Sequence, residues 1–345
     1  MKTIVVGSTH KSAGKTSMIV GLAKVVGGSC GYMKPLGDRL LYRKKRLWDY
    51  DAALITSVFG LEGNPEEMTL GFEHAKLKYM YDAQGLKDKL SEMATFAGQG
   101  KDVLCIEAGE SLSYGASVNL DAISLASYLH ARLVLVAGGS ESTIIDDLAF
   151  VKRYVDLSDV DFAGVIVNKV RNIEDYRSTH LEDVNALGVR VLGVVPYDAE
   201  LTKISVGHLA ERLLAKVVAG EEGLNGKVNS IMVGAMSTNA ALQNPLFKKE
   251  HKLVITGGDR SDLILAAIES STAGIILTNN TLPSSNIISM ASERKIPLLL
   301  VPFDTYQTAS QIESIDPLLV KDDARKMEVL TQLVKEHVAT SAVLG

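Results

Sequence analysis

The sequence predicts an α/β protein with a parallel sheet sandwiched between helices, followed by a second, smaller α/β domain. Short apolar, β-branched segments alternate along the chain with segments of helical spacing, which is typical of parallel sheets covered on both faces. A glycine- and serine-containing loop separates the first apolar segment from the first helical one. A polar, glycine-rich segment at residues 219–226 then divides two such series and predicts a hinge.

The first series predicts a domain over residues 1–219. Its buried strands are expected at Thr3–Val6, Val103–Ile106, Leu133–Val136, Gly164–Val167 and Val191–Val195. Helical spacing predicts helices at Lys15–Val26, Asp51–Phe59, Leu77–Gln99, Leu120–His130, Ile144–Val155 and Asp175–Leu187, with a closing helix over Leu201–Ala219.

The second series predicts a domain over residues 227–340, which is long enough to fold by itself. Its strands are expected at Ser230–Val233, Lys252–Ile255, Ile275–Leu277 and Leu298–Val301. Its helices are expected at Leu263–Glu269, Ile287–Glu293 and Ile312–Ile315.

The composition argues against nucleic-acid and membrane partners. The net charge is −5 and the pI is about 5.9, so a basic surface for nucleic acid is not expected. The basic run at residues 39–46 is interpreted as a solvated loop, with an anion-binding patch as the alternative. Cys30 and Cys105 are far apart in apolar segments, which favours a reducing compartment. With no apolar stretch of about 18 residues and no visible signal peptide, we expect a cytoplasmic protein.

The loop between the first strand and helix predicts a phosphate-binding P-loop. Gly14-Lys15-Thr16 opens the helix, where main-chain N–H groups and the helix dipole favour phosphate. Lys15 is expected to reach the β- and γ-phosphates of ATP, and the Thr16 hydroxyl to bind Mg²⁺. The strict motif has glycine where this chain has Thr9, so a purely structural strand–turn–helix is the alternative. The predicted nucleotide-binding residues are Thr9, His10, Lys11, Ser12, Ala13, Gly14, Lys15, Thr16 and Ser17.

Two carboxylates are candidates for completing the Mg²⁺ site. Glu107 follows the apolar segment Val103–Ile106, so it lies at the carboxyl end of a strand, where open α/β sheets bind ligands. Asp51 begins a predicted helix; its alternative role is an N-cap without any ligand.

These segments resemble the dethiobiotin synthetase family and its cobyrinate amide-forming relatives. The looser P-loop, the segments Tyr32–Pro35 and Val165–Lys169, and the segment Gly193–Pro196 carry the resemblance, together with Asp51-Ala52 and Glu107-Ala-Gly109. It implies that Lys34 faces the phosphoryl-transfer site, that Asn168 reads adenine, and that the loop at Pro196 packs on adenine. It also implies catalytic roles for Lys15 and Lys34. The segment Glu110–Gly115 lacks the family's glycine-rich substrate loop, so carboxylation chemistry does not carry over.

A second motif, Thr256–Asp262, follows a predicted strand in the second domain. Two glycines allow a tight turn, and an arginine beside a helix start can pair with an anion. The candidate ligand residues are Gly257, Gly258, Asp259, Arg260 and Ser261. The alternative is a structural turn in which Asp259 or Ser261 caps the helix and Arg260 forms a local salt bridge.

The Thr256–Asp262 motif resembles the DRTGG domain. A dethiobiotin synthetase-like domain followed by a DRTGG-like domain resembles the N-terminal, non-catalytic half of long bacterial phosphate acetyltransferases. That similarity implies a regulatory Mg-ATP-binding protein whose second domain reads a metabolite or contacts an enzyme of acetyl-phosphate metabolism.

Two alternatives remain open, and a homodimer is expected for this class of P-loop protein. The first alternative is an ATP-dependent ligase that acts through a phosphorylated carboxylate. The second is a dimeric ATPase of the class that carries an extra lysine five residues before the main one; His10 occupies that position here.

Overall fold

The structure is a computed structural model that describes residues 1–43, 46–320 and 323–345. Lys44 and Lys45 of the predicted basic loop lie outside the described residues. The chain forms two compact units, one of Met1–Leu201 with Leu319–Gly345 and one of Thr202–Leu318. No helix within the described ranges is long and apolar enough to cross a membrane.

The first unit contains a six-stranded parallel sheet in the order β2-β5-β1-β6-β7-β8. Its strands are β1 (Lys2–Ser8), β2 (Cys30–Met33), β5 (Val103–Glu107), β6 (Arg132–Ala137), β7 (Phe162–Val170) and β8 (Val191–Pro196). Between β2 and β5, β3 (Leu40–Arg43) and β4 (Arg46–Asp49) form an antiparallel hairpin. The predicted parallel sheet is therefore confirmed.

Helices cover both faces of this sheet. In chain order they are α1 (Lys15–Val26), α2 (Tyr50–Phe59), α3 (His74–Met80), α4 (Ala83–Gly98), α5 (Ala122–Tyr128), α6 (Glu141–Tyr154), α7 (Ile173–Asp175) and α8 (Leu181–Ala186). Apolar residues of α1 and α2 pack on one face, and those of α4, α5 and α6 on the other. The single helix predicted at Leu77–Gln99 is wrong, because Asp82 begins a new helix by accepting the Gly85 N–H at 2.7 Å.

The second unit contains a five-stranded sheet in the order β10-β15-β14-β13-β12, in which only the β10–β15 pair is antiparallel. The strands of this sheet are β10 (Lys216–Ala219), β12 (Ser230–Val233), β13 (Lys252–Gly257), β14 (Thr272–Thr278) and β15 (Leu298–Leu300). The short strands β9 (Ile204–Ser205) and β11 (Lys227–Val228) pair with each other in a separate two-stranded antiparallel sheet. After α9 (Ala199–Thr202), the helices of this unit are α10 (Val206–Arg212), α11 (Thr238–Gln243), α12 (Ser261–Ile268), α13 (Ser285–Glu293) and α14 (Thr305–Glu313).

The predicted closing helix at Leu201–Ala219 is wrong. That segment contains the end of α9, then β9, α10 and β10, and β10 pairs with β15 of the second sheet. Apolar periodicity does not distinguish a short buried strand from a piece of helix. The first unit's leading segment thus ends at Leu201 rather than residue 219, and the predicted hinge at 219–226 lies inside the second unit.

The C-terminal segment returns to the first unit, so the predicted boundary at residue 340 is also corrected. Its helices are α15 (Ala324–His337) and α16 (Thr340–Leu344). Leu330 and Val334 of α15 are fully buried in the apolar cluster that includes α1. A Cβ on Gly21 of α1 would lie 2.4 Å from Val334, so glycine allows this close helix contact. In sequence, the second unit is therefore an insertion within the first.

Candidate functional site

The P-loop joins the carboxyl end of β1 to α1. Ser12 and Gly14 both have left-handed backbone conformations, with φ of 59° and 106°. Turns of this kind point successive N–H groups into one concavity, which suits an anion. A Cβ at Gly14 would lie 2.3 Å from Nδ2 of Asn168, so this position requires glycine for space as well as for φ.

Two neighbouring residues of β7 hold the P-loop in this shape. Asn168 Nδ2 donates to the Ala13 carbonyl at 2.8 Å, and Lys169 Nζ donates to the Ser12 carbonyl at 2.8 Å. Val170 of β7 is paired with Pro196 of β8, so Asn168 and Pro196 end adjacent strands. The adenine contacts expected of Asn168 and Pro196 remain predictions.

Lys15 is buried at the start of α1 and points back into the loop. Its Nζ donates to Ser8 Oγ at 2.9 Å and lies 3.5 Å from the Glu110 carbonyl oxygen. Burial lowers the pKa of Lys15, and attraction to Glu107 opposes that shift in part. A phosphate oxygen can replace these neutral partners as the acceptor for the ammonium group.

Thr16, Glu107 and Tyr32 form a buried hydrogen-bonded set beside Lys15. Thr16 Oγ1 donates to Glu107 Oε1 at 2.8 Å, and the Tyr32 hydroxyl donates to Glu107 Oε2 at 2.9 Å. Burial raises the pKa of Glu107 to about 7, and repulsion from Asp51 adds to the shift. The structure therefore brings together Thr16 and Glu107, two of the three predicted Mg²⁺ ligands. Their hydroxyl and carboxylate oxygens are the hard donors that Mg²⁺ prefers.

Lys34 lies within a cluster of three carboxylates, which we call the Lys34 cluster. Its Nζ is 2.5 Å from Asp38 Oδ1, 2.7 Å from Asp51 Oδ2 and 3.3 Å from Asp49 Oδ2. Only 1% of the lysine is exposed. Burial alone would lower the pKa of Lys34, but the carboxylates outweigh it and raise the pKa well above its ordinary value. Lys34 is thus a charged internal ion.

Asp49, not Asp51, caps α2. Asp49 Oδ1 accepts the N–H groups of Asp51 at 2.9 Å and Ala52 at 3.1 Å. The alternative role of Asp51 as the N-cap is therefore wrong. Its carboxylate instead faces Lys34 and, at 3.4 Å, Arg39. Burial alone would raise the pKa of Asp51, but attraction to Lys34 and Arg39 outweighs it and lowers the pKa.

The carboxylates of Asp38, Asp49 and Asp51 each offer an oxygen within 4.8 Å of the others. This spacing suits a cation, and the Lys34 ammonium group contacts all three. The sequence alone did not indicate a role for Asp38 or Asp49. The available signal was a carboxylate four residues after a strand-end lysine, but that spacing is too common to indicate a site alone.

Thr9 and Lys11 of the predicted loop also contact other parts of the first unit. The Thr9 N–H donates to the Val136 carbonyl at 3.2 Å. Lys11 Nζ lies 3.4 Å from Glu110 Oε2. Ser17 lies in the first turn of α1, partly buried.

The predicted second-unit site forms a tight turn between β13 and α12. Arg260 Nη2 donates to the Met236 carbonyl at 2.7 Å, so the guanidinium mainly joins two backbone segments. Asp259 and Ser261 do not cap α12. The N-cap position is Arg260, and among the described residues no side chain accepts a hydrogen bond from the first turn as a cap. A Cβ on Gly258 would lie 1.8 Å from the Thr281 carbonyl oxygen, so close packing explains this glycine. A ligand at Gly257–Ser261 remains a prediction.

A family model described as an AAA domain matches residues 2–205, more than half of the 345-residue chain. The chain belongs to the AAA domain family. Its P-loop is of the dethiobiotin-synthetase-like kind, as the sequence predicted. A second model, the DRTGG domain, matches residues 208–315, and the two matches meet close to the division between the two units.

This AAA domain chain is similar to phosphate acetyltransferases over nearly all of its length. The enzyme of Pseudomonas putida is 28% identical, with 98% of this chain and 50% of the relative covered. The enzyme of Deinococcus radiodurans is 26% identical, with 99% and 50% covered. The chain therefore spans about half the length of these curated relatives. The predicted similarity to the N-terminal region of phosphate acetyltransferase is confirmed.

Likenesses to solved structures are weak. The CBS and DRTGG domains of the Clostridium perfringens pyrophosphatase regulatory region, complexed with diadenosine tetraphosphate, match with a TM-score of 0.30 and 22% identity. That match covers 40% of this chain and 62% of the other. MinD of Aquifex aeolicus matches with a TM-score of 0.36 and 15% identity, covering 58% and 84%. At these TM-scores neither likeness bears on function.

Proposed function

We propose that the first unit is a regulatory Mg-ATP-binding domain. The observation that carries the proposal is the Thr16–Glu107 hydrogen bond beside the buried Lys15, at the mouth of a P-loop with two left-handed residues. This arrangement supports the proposal, because a loop suited to an anion, a buried lysine and hard oxygen donors lie at one edge of the sheet.

Each group has a defined part in this proposal. The loop N–H groups bind phosphate oxygens, and Lys15 exchanges its Ser8 contact for a phosphate. Thr16, Glu107 and Asp51 hold Mg²⁺ directly or through water. Bound Mg²⁺ neutralises phosphate charge. Glu107 must be ionised to serve as a ligand, and its raised pKa makes that requirement sensitive near neutral pH.

The state of Lys34 favours regulation over the ligase alternative. A ligase of the resembled family would use Lys34 on the transferring phosphoryl group. Here Lys34 is buried and paired with three carboxylates, so it would have to leave stabilising partners to act. The match to half of phosphate acetyltransferase also supports a domain that accompanies or regulates an enzyme.

We extend the proposal to partners. The second unit binds a small metabolite at Gly257–Ser261 or contacts an enzyme of acetyl-phosphate metabolism. The protein acts in the cytoplasm, as a homodimer. The similarity to phosphate acetyltransferase and the DRTGG match support this extension.

Nucleotide binding is tested by calorimetry of purified protein with ATP, in MgCl₂ and in EDTA. We expect Lys15→Ala to abolish binding while the thermal midpoint stays close to that of the wild type. Lys24→Ala is the matched control, because Lys24 is an exposed lysine on the same helix. Unchanged ATP affinity in Lys15→Ala would remove the P-loop assignment.

Regulation is separated from ligase activity by measuring ADP release. The protein is assayed alone and with a panel of small carboxylic acids and amines. We expect slow release that no compound stimulates strongly. Strong stimulation by one compound, dependent on Lys34, would replace the regulatory function with a ligase.

A further inference from the structure

His10 of the P-loop is paired with a residue of a separate helix. Its Nδ1 lies 2.6 Å from Oδ2 of Asp147 in α6, and both atoms are buried. The two atoms are within ion-pairing distance but form no well-aligned hydrogen bond. The His10 side chain is nevertheless 41% exposed, so the ring is held at Nδ1 and partly open to solvent.

The main chain of His10 also connects it to Lys15. Ser8 Oγ donates to the His10 carbonyl at 2.8 Å and accepts from Lys15 Nζ at 2.9 Å. His10 and Lys15 therefore belong to one hydrogen-bonded chain through Ser8. A phosphate that draws Lys15 away from Ser8 acts directly on the residue that positions the His10 backbone.

The chemistry of the pair suits a phosphate ligand. Asp147 holds one edge of the imidazole, and an N–H on the other ring nitrogen can donate to a phosphate oxygen. Charge-assisted hydrogen bonds to phosphate are about twice as strong as neutral ones.

The other cationic side chains near the loop have partners of their own. Lys11 Nζ lies 3.4 Å from Glu110 Oε2, and Lys15 Nζ donates to Ser8 Oγ at 2.9 Å. Lys169 Nζ donates to the Ser12 carbonyl at 2.8 Å, and Arg39 lies 3.4 Å from both Ser12 Oγ and Asp51 Oδ1. Asp147 is the ion-pair partner of His10 among the described residues. Its position on α6 is not explained by capping, because Ser140 caps that helix.

We propose that the His10 side chain is a ligand for the nucleotide phosphates and that Asp147 is its positioning residue. This inference rests on the proposed nucleotide-binding function. Asp147 acts through His10, because it holds one edge of the ring. The site then differs from a P-loop with a single lysine, since part of its affinity depends on the His10 side chain.

The test is a double-mutant cycle with Mg-ATP as the probe, measured by calorimetry at pH 6.5. We expect His10→Gln and Asp147→Asn each to weaken binding about tenfold, the scale of one charge-assisted hydrogen bond. The double variant should be no weaker than His10→Gln, because Asp147 has no role without the imidazole. His10→Lys should restore most of the affinity. Asp146→Asn, an exposed neighbour on α6, is the matched control.

A spectroscopic measurement separates a ligand from a structural pair. In ¹⁵N-histidine-labelled protein, the Nε2 signal of His10 should move on addition of Mg-ATP, and Asp147→Asn should reduce that change. Thermal midpoints of all variants identify any that fail to fold, in which case His10→Lys and the labelled wild type decide. If His10→Gln binds like the wild type while Lys15→Ala does not, the His10 inference fails and the nucleotide site stands. If Lys15→Ala also binds normally, the proposed function itself fails.

Discussion

Replacing Lys34 with methionine tests whether the Lys34 cluster stabilises the fold. Methionine keeps an unbranched chain of similar length but removes the charge. Three carboxylates at 2.5, 2.7 and 3.3 Å would then lose their common cation inside the protein. Removing one partner of a buried ion pair typically costs about 3–5 kcal/mol. We expect a loss of this size in the free energy of unfolding, which is a large share of the roughly 5–15 kcal/mol of a typical domain.

The same variant should become responsive to divalent cations. With the ammonium group gone, Asp38, Asp49 and Asp51 offer three oxygens within 4.8 Å of one another. Mg²⁺ or Ca²⁺ at 100 times its dissociation constant would return about 2.7 kcal/mol. Urea unfolding followed by circular dichroism, in EDTA and in excess MgCl₂, measures both effects. The wild type should gain less, because Lys34 already occupies the centre of the cluster.

A matched control is Lys89→Met. Lys89 also pairs with a carboxylate, Glu92 at 2.8 Å, but both side chains are exposed, so the loss of stability should be far smaller than that of Lys34→Met. A Lys34→Met variant as stable as Lys89→Met would refute the reasoning. Equal stabilisation of wild type and Lys34→Met by magnesium would show that the three carboxylates do not form a cation site.

Three further predictions concern the site and its support. The pKa of Glu107 is raised to about 7, so below that pH its carboxyl group is protonated in the folded protein, whereas a glutamate in the unfolded chain is already ionised. The stability of the nucleotide-free protein should therefore fall as the pH increases toward 8. The affinity for Mg-ATP should rise over the same range, because the ionised carboxylate is the form that binds Mg²⁺. Glu107→Gln should flatten both profiles, measured by calorimetry and urea unfolding. Leu330→Ala should lower the stability of the first unit by about 2–5 kcal/mol, against less than about 0.5 for the exposed Leu282→Ala, in the same unfolding assay. Arg260→Ala should lower the free energy of unfolding by about 0.5–1.5 kcal/mol, because the hydrogen bond to the Met236 carbonyl is lost. If this variant binds metabolites and partners as the wild type does, the turn has a purely structural role.

Local sequence was sufficient for the P-loop. The predicted helix Lys15–Val26 has the observed bounds, and each predicted strand of the first sheet overlaps an observed one. These elements depend on neighbours in sequence: apolar runs for buried strands and glycine at the start of α1. The position of Glu107 at a strand end followed from the same local pattern, because parallel strands present their carboxyl ends at one edge.

Contacts between distant residues were not predictable in this way. Thr16 and Glu107 are 91 positions apart, and their hydrogen bond depends on β1 and β5 being neighbours. In the sequence, Asp49 and Asp51 are both plausible N-caps of α2. In the structure Asp49 is the cap, and its other carboxylate oxygen accepts the Asp38 N–H at 3.1 Å, a contact with a segment eleven residues earlier. The pairing of His10 with Asp147 likewise required α6 to pack beside the loop.

The division into units shows the same distinction. The sequence by itself determined an α/β chain with a phosphate loop, a strand-end glutamate and two successive strand–helix series. Only the tertiary structure assigned residues 202–219 to the second unit and residues 319–345 to the first. The physical reason is that periodicity reports which side of an element is apolar, whereas the apolar surface that covers that side is set by packing. For Leu330 and Val334 that surface is α1, about 310 residues earlier in the chain.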